Sequence, residues 1–319
     1  GRRVSASSSG SLAYFLEPAV NTNVQWMDQT GKVTETVGVP AGRYAEVTIA
    51  PDNARAVLVR RASAAASSLW LVDLTRASAV PLSVEDARLP SPVWSPDSKQ
   101  LVFARDRDGH RELYEKTLAD SSPERRILQF SNPSALPRSW SSNEILFNMI
   151  EPDLKWNVYR LPVSGPAEPV PVVRGPSIEV GGWVSPDGHW VAYLSDETGR
   201  LDVFVQSFPT AGVKLQIPTG GTQLCWWARD GRHLLFLKRD HTLWRVDVDL
   251  PPSPPASARQ GGAAAPHIGV PQQIGTFPSS LVDMDLAPDG QRFLALVPER
   301  AGVGAITITG YAPTVFRSE

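Results

Sequence analysis

The sequence predicts an all-β protein, a β-propeller of seven four-stranded antiparallel blades, with a six-bladed ring as the alternative. The first observation is an aromatic residue that returns every 44 or 45 residues, with a final interval of 40. These aromatic residues are Trp26, Trp70, Tyr114, Tyr159, Phe204 and Trp244. A period of this size, with several short strands per unit, is typical of propeller blades.

The second observation is a turn motif, Pro-Asp or a similar pair between two apolar stubs. It contains Asp52, Asp97, Asp187, Asp230 and Asp289. In such turns Asp accepts hydrogen bonds from nearby backbone N–H groups, and Gly supplies a positive φ. We therefore expect these aspartates to be structural, in exposed turns on the face opposite any ligand site, and to bind no metal.

The third observation is composition, since 24 glycines and 29 prolines interrupt the chain and almost no stretch has apolar residues at helical spacing. This favours short strands with tight turns and essentially no helix. The anchor before a turn lies seven residues before its returning strand, as from Trp94 to Leu101. From Trp140 to Ile145 the spacing is five, which predicts a shortened turn in that unit.

Inner strands are expected at seven places, which gives the count of seven blades. They are residues 4–7, 47–50, 92–95, 138–141, 182–185, 225–228 and 283–287. The first unit, with strands at 4–7 and 12–15, lacks the Pro-Asp turn, and if it only completes another blade, six remain. The last unit ends near 305–308. We expect the tail 311–319 or the N-terminal residues to close the ring, because closure removes the exposed sheet edges.

Residues 1–319 are expected to form one domain, because each blade buries its faces against its neighbours. A stretch at about 250–270, rich in Pro, Ala and Gly, has no periodicity. We interpret it as a flexible insertion between the third and fourth strands of its blade, with a docking segment as the alternative.

The charge balance gives no reason to expect a nucleic-acid or membrane-surface partner, since 31 basic and 33 acidic residues leave a net charge of −2. No run of about 18 apolar residues occurs, so we expect no membrane insertion by this segment. The single cysteine, Cys225, is expected to be a buried small hydrophobe. We expect the isolated domain to be monomeric.

No catalytic, metal or cofactor motif is found. The histidines His110, His189, His233, His241 and His267 have no ligand spacing. Gly-x-Ser-x-Gly, Walker and dinucleotide-binding loops do not occur. We expect no enzyme activity, no metal and no cofactor in this chain.

Several tryptophans lie on or beside the expected inner strands, and we interpret them as packing between blades. A stacking platform for a sugar or peptide is the alternative. Trp226 and Trp227 are its best candidates, because alternation points them to opposite faces of the strand.

The predicted ligand site is the channel mouth, where loops from several blades meet. Its candidate residues are Tyr44, Glu46, Arg138, Glu179, Gln223 and Asp283, beside the loops 106–110, 196–200 and 239–241. Mixed charges around a concave opening suit a polar group or a protruding segment of a partner. Ordinary solvated loops are the alternative.

The stretch 183–209, together with 218–223 and 287–294, resembles the WD40-like Pro-Asp repeats of TolB-type propellers. More narrowly, it resembles the propeller region that follows the kinase domain in many bacterial eukaryotic-like serine/threonine kinases. The resemblance implies an extracytoplasmic sensor or interaction domain, tethered by a transmembrane segment outside this chain. It implies no catalytic residue, because there is no catalytic motif to match.

Two function classes follow. The favoured class is a non-enzymatic propeller that binds a protein, small molecule or glycan at the channel face, as the sensor of a receptor serine/threonine kinase. The alternatives are a propeller enzyme, such as a polysaccharide lyase or hydrolase, and a TolB-like scaffold of an envelope complex.

Overall fold

The architecture is that of a computed structural model and consists of strands, turns and loops. The structure describes residues 3–6, 11–15, 20–63, 65–83, 87–107, 110–119, 122–129, 134–164, 167–251, 265–299 and 307–310. Across these ranges no helix is long and apolar enough to cross a membrane.

Six antiparallel sheets form the blades, numbered here from the N-terminal side with the inner strand first. Blade 1 consists of Tyr44–Ile49, Arg55–Arg61, Ser67–Asp73 and Ser78–Pro81. Blade 2 consists of Val93–Trp94, Gln100–Arg107, His110–Thr117 and Arg125–Leu128. Blade 3 consists of Ala135–Trp140, Glu144–Ile150, Trp156–Pro162 and Val170–Val173.

Blades 4 to 6 complete the ring. Blade 4 consists of Glu179–Val184, Trp190–Ser195, Asp202–Ser207 and Lys214–Ile217. Blade 5 consists of Thr222–Trp227, His233–Lys238, Thr242–Asp249 and Gln272–Thr276, with the short strand His267–Ile268 also paired to its third strand. Blade 6 consists of Asp283–Leu286, Arg292–Pro298, Thr22–Asp28 and Val33–Val37.

The prediction of seven blades is wrong, and the six-bladed alternative is confirmed. Strands Arg3–Ala6 and Ser11–Phe15 pair with each other, and the second also pairs with Thr307–Gly310 in a separate three-stranded sheet. A short strand can pair with any antiparallel partner, so the repeat spacing alone did not identify its sheet. Each blade has one of the six recurring aromatic residues in its third strand, so these residues give the correct number of blades.

Ring closure uses the N-terminal residues, one of the two predicted possibilities. Thr22–Asp28 pairs with Arg292–Pro298 along its whole length, from Thr22 opposite Pro298 to Asp28 opposite Arg292. Blade 6 therefore takes two strands from each end of the described chain. The tail 311–319, the other possibility, lies outside the described residues.

The seven-residue spacing from each anchor to its returning strand corresponds to pairing between the first two strands of a blade. The pairs are Trp94 with Leu101, Val184 with Val191, Trp227 with Leu234, and Leu286 with Phe293. In blade 3 Trp140 lies opposite Ile145, so the shortened turn is also present.

The turn aspartates accept local backbone hydrogen bonds, as predicted. Asp187 Oδ1 accepts from the backbone N of His189 at 3.1 Å, and Asp289 Oδ1 accepts from that of Gln291 at 2.9 Å. The following Gly188 has a positive φ of 77°. Both carboxylates are exposed.

The core is divided into six apolar clusters, each between two adjacent blades. Between blades 4 and 5, for example, Trp190 and Val205 pack with Phe236 and Val246. Because each blade buries both faces in this way, no blade has a complete core of its own.

The stretch at about 250–270 joins the third strand Thr242–Asp249 and the fourth strand Gln272–Thr276 of blade 5, and it contains the short strand His267–Ile268. Pro251 is held by a hydrogen bond from Trp190 Nε1 to its carbonyl oxygen at 3.1 Å. The flexibility predicted for about 250–270 stays a prediction, because 252–264 lie outside the described residues.

The fourth strand of blade 5 lies directly against the turn that joins the two N-terminal strands of blade 6. The backbone N of Thr276 donates to the carbonyl of Thr30 at 3.2 Å. A Cβ placed on Gly275 would lie 2.0 Å from the carbonyl oxygen of Gln29, so only glycine fits. The ring-closing segment is therefore packed against blade 5 as well as paired within blade 6.

We expect Gly275→Ala to lower the free energy of unfolding by about 2 kcal/mol or more, because backbone must move to admit the methyl group. Gly38→Ala is the matched control, since its Cβ would meet only ordinary contacts at 3.8 Å or beyond. Urea unfolding of both variants checks this. Equal stability of the two variants would contradict the close approach.

Candidate ligand site at the channel mouth

The inner strands and the loops beside them enclose a cavity of about 310 Å³ on the ring axis. All six blades contribute to its lining. Three of the predicted site residues lie here: Glu46 from blade 1, Arg138 from blade 3 and Asp283 from blade 6. The cavity is the central channel, and charged groups from separate blades meet in it.

Bulges in the inner strands position some of these residues. The register between the first and second strands shifts between Pro137 and Ser139, leaving Arg138 without a partner residue. The same shift occurs in blades 1, 4 and 5, where Gln223 is the extra residue of blade 5. A bulge turns its extra side chain away from the regular alternation.

Arg138 is held by a buried amide that bridges blades 3 and 4. Its Nε donates to Asn148 Oδ1 at 2.6 Å. The same oxygen accepts from the backbone N of Gly181, and Asn148 Nδ2 donates to the Gly181 carbonyl at 2.8 Å. Burial lowers the pKa of Arg138, while the carboxylate of Glu46 raises it.

Two aspartates of blade 6 bind the inner strand of blade 1. Asp283 Oδ2 accepts from the backbone N of Val47 at 2.9 Å, and Asp285 Oδ2 accepts from that of Ile49 at 2.8 Å. Burial raises the pKa of Asp285 to about 6 and that of Asp283 well above its usual value, although these N–H groups oppose the shift. These carboxylates satisfy backbone donors at a sheet edge that no strand covers.

Glu46 makes the corresponding contact from blade 1 to blade 2. Its Oε2 accepts from the backbone N of Ser91 at 2.6 Å. Burial raises the pKa of Glu46, whereas the Ser91 N–H and the positive charges of Arg138, Arg61 and Arg88 act in the opposite direction. The charges of these three arginines therefore favour the ionised form of Glu46.

The other three predicted residues do not line the cavity. Tyr44 is buried, and its hydroxyl donates to the carbonyl of Pro40 at 2.6 Å. Glu179 is only 3% exposed, and Gln223 is exposed on its bulge. The structure therefore brings together three of the six residues.

The two adjacent tryptophans of blade 5 pack against opposite neighbours, as the interpretation of inter-blade packing requires. Trp226 Nε1 donates to Asp285 Oδ1 of blade 6 at 3.1 Å, and its ring meets Phe293 edge to face. Trp227 Nε1 donates to the carbonyl of Trp183 in blade 4 at 2.8 Å. Cys225 beside them is 1% exposed, and burial raises the pKa of its thiol.

Sequence reasoning missed three charged residues of this face. Asp285 follows Asp283 at the two-residue period of a strand, a signal that places both on one face. Arg61, at the end of the second strand of blade 1, and Arg88, in the connection to blade 2, line a neighbouring cavity that no sequence spacing indicated. Among the described residues no group of three or more His, Cys, Asp or Glu could hold a metal ion.

Comparisons with known proteins agree on the architecture. No protein-family profile matches this sequence, and no curated protein sequence matches it. The putative TolB from Agrobacterium tumefaciens is similar in structure, with a TM-score of 0.63 at 13% identity over 88% of this chain and 99% of that one. The chain has a TolB-like β-propeller fold.

Two further structures show how widely this fold is shared. TolB from Acinetobacter baumannii has a TM-score of 0.57 at 12% identity, over 96% of this chain and 80% of that one. Kuenenia stuttgartiensis hydrazine synthase has a TM-score of 0.58 at 16% identity, over 97% of this chain and 95% of that one. At such identities the likeness shows the fold, and function must be argued from the site.

Glu179 combines deep burial with an unsatisfied carboxylate. Its Oε2 is buried and has no hydrogen-bond partner among the residues that the structure describes, and the same holds for the hydroxyl of the nearby Tyr193. Burial raises the pKa of Glu179 to about 7, with a smaller opposing effect from Ser195. The folded protein therefore binds this proton more tightly than the unfolded chain, and stability falls as pH rises from about 4.5 to about 7.

We expect Glu179→Gln to abolish this loss of stability at higher pH, because the amide side chain has the same shape as the carboxylate and carries no charge. Relative to wild type, the variant should gain about 2–3 kcal/mol in its free energy of unfolding between pH 4.5 and pH 8. Chemical unfolding at both pH values measures this difference. A difference between the two proteins that is independent of pH would contradict the burial of an ionisable Glu179.

Proposed function

We propose that this propeller is a non-enzymatic binding domain that holds a polar ligand at its channel mouth, in a scaffold role like that of TolB-type propellers. The ligand is a protruding segment of a protein partner, with a small molecule or glycan as the other class to be tested. One observation carries the proposal: Glu46, Arg138 and Asp283, from three blades, line one cavity on the ring axis.

The geometry of these charges supports recognition. Each group is fixed by a bond to backbone or to a buried amide, so its position is set before a ligand arrives. Pre-organised polar groups in a concave site reduce the entropy lost on binding. The opposite charges of Arg138 and Glu46 suit a ligand that presents both donors and acceptors.

The enzymatic alternative has less support. Asp283 and Asp285 already accept backbone N–H groups, so their carboxylates are engaged in holding blade 1. Hydrazine synthase shows that this fold occurs in an enzyme, so the fold itself does not decide the question. The argument against catalysis rests on the side chains of the channel.

The setting of the domain is also part of the proposal. The TolB-like fold supports an extracytoplasmic scaffold role better than a sensor role in a receptor kinase. The sensor role rests on the resemblance of the Pro-Asp repeats alone. An upstream kinase domain and membrane span in the complete reading frame would favour it.

We expect Glu46→Gln and Arg138→Met to weaken binding of a selected ligand at least tenfold each, because each removes a charge from the cavity. The ligand is first selected with wild-type protein from a library of short random peptides and from a glycan array. Calorimetry then gives the dissociation constants. Glu46→Gln keeps an oxygen that can accept from Ser91, so its fold should survive.

Arg76→Ala is the control, because Arg76 is exposed on a turn of blade 1 and lies outside the cavity. Thermal unfolding of each variant identifies any loss caused by misfolding. Three results would contradict the proposal: no ligand is selected, the channel variants bind like wild type, or deletion of 252–264 alone abolishes binding.

A further inference from the structure

A second cavity, of about 230 Å³, lies between blades 1 and 2 beside the channel mouth. It is formed where the loop between the second and third strands of blade 1 meets the connection to blade 2. Glu46 lines both this cavity and the channel, so the two share a wall. We call it the blade 1–2 cavity.

Two arginines, Arg61 and Arg88, line this cavity. Neither guanidinium makes a hydrogen bond or ion pair with any residue that the structure describes. Among the described residues of the lining, Glu46 is the one carboxylate, and its Oε2 already accepts from the Ser91 N–H. Even with Glu46 ionised, the described residues of the lining carry one excess positive charge.

The backbone around Arg88 is fixed from two sides. The neighbouring Leu89 donates its N–H to Ser67 Oγ at 2.9 Å. The carbonyl of Arg88 itself accepts from the backbone N of Asp106 in blade 2 at 2.9 Å. Arg88 is therefore presented from a rigid support rather than from a free loop.

A hydroxyl adds a further donor to the lining. Ser63 Oγ accepts from the backbone N of Ala65 at 3.1 Å and of Ala66 at 3.0 Å. Its own proton is directed by neither bond and is available for a ligand. Two guanidinium groups and a hydroxyl match the oxygens of a carboxylate or a phosphate, which guanidinium binds with paired N–H groups.

We propose that the blade 1–2 cavity binds one anionic group, a carboxylate or phosphate, of the ligand that occupies the channel. This inference rests on the proposed binding function and specifies its ligand: a polar chain with an anionic group next to the part held by Glu46 and Arg138.

The test uses inorganic phosphate, malonate and the neutral malonamide as probes, titrated into the full chain by calorimetry at low salt. We expect phosphate or malonate to bind and malonamide not to bind. Arg61→Gln and Arg88→Gln should each weaken anion binding about tenfold, the loss of one charge-assisted interaction. Arg76→Ala, which removes the same charge elsewhere on blade 1, should bind like wild type.

The better of the two anions identifies the group, and higher salt should weaken its binding. The inference is overturned if neither anion binds wild type, or if both Gln variants bind as tightly as Arg76→Ala. If the channel variants weaken the selected ligand while Arg61→Gln and Arg88→Gln leave it unchanged, the proposed function stands and this inference fails.

Discussion

The pairing of Thr22–Asp28 with Arg292–Pro298 is the interaction on which the rest of the structure depends. Every blade buries its faces against two neighbours, so the six inter-blade clusters are complete only in a closed ring. Two of these clusters include residues of the N-terminal strand, Trp26 on one side and Met27 on the other. Closure therefore joins Thr22–Asp28 to Arg292–Pro298 through main-chain hydrogen bonds, and it packs the strand Thr22–Asp28 against blade 1 on one face and blade 5 on the other.

Closure also creates the site, because it brings the inner edges of all blades around one axis. Along these edges are backbone N–H groups that pair with no other strand. Carboxylate side chains of the adjacent blade accept hydrogen bonds from several of these N–H groups. Glu46 binds blade 2 in this way, and Asp283 and Asp285 bind blade 1. The same side chains then face the channel, which explains how a structural requirement produces a polar cavity.

The sequence was sufficient for the pattern of four-stranded blades and for the hydrogen bonding of the turn aspartates, because these follow from local spacing and turn chemistry. It was insufficient for the blade count, since the strands near each terminus can pair with more than one sheet. Of the residues it named for a site, Glu46, Arg138 and Asp283 line the channel cavity, and their binding role stays a prediction. Burial of Tyr44 and Glu179, and the cavity lined by Arg61 and Arg88, depend on contacts between blades that no spacing encodes.

Hydrogen exchange followed by mass spectrometry tests the central claim, closure by the N-terminal strand, most directly. If the ring is closed as described, peptides that contain Thr22–Asp28 and Arg292–Pro298 will be equally protected and will lose protection together as urea is added, because their amides share one ladder. Rapid exchange in Thr22–Asp28, with protection retained in the inner strands of blades 1 to 5, would contradict it.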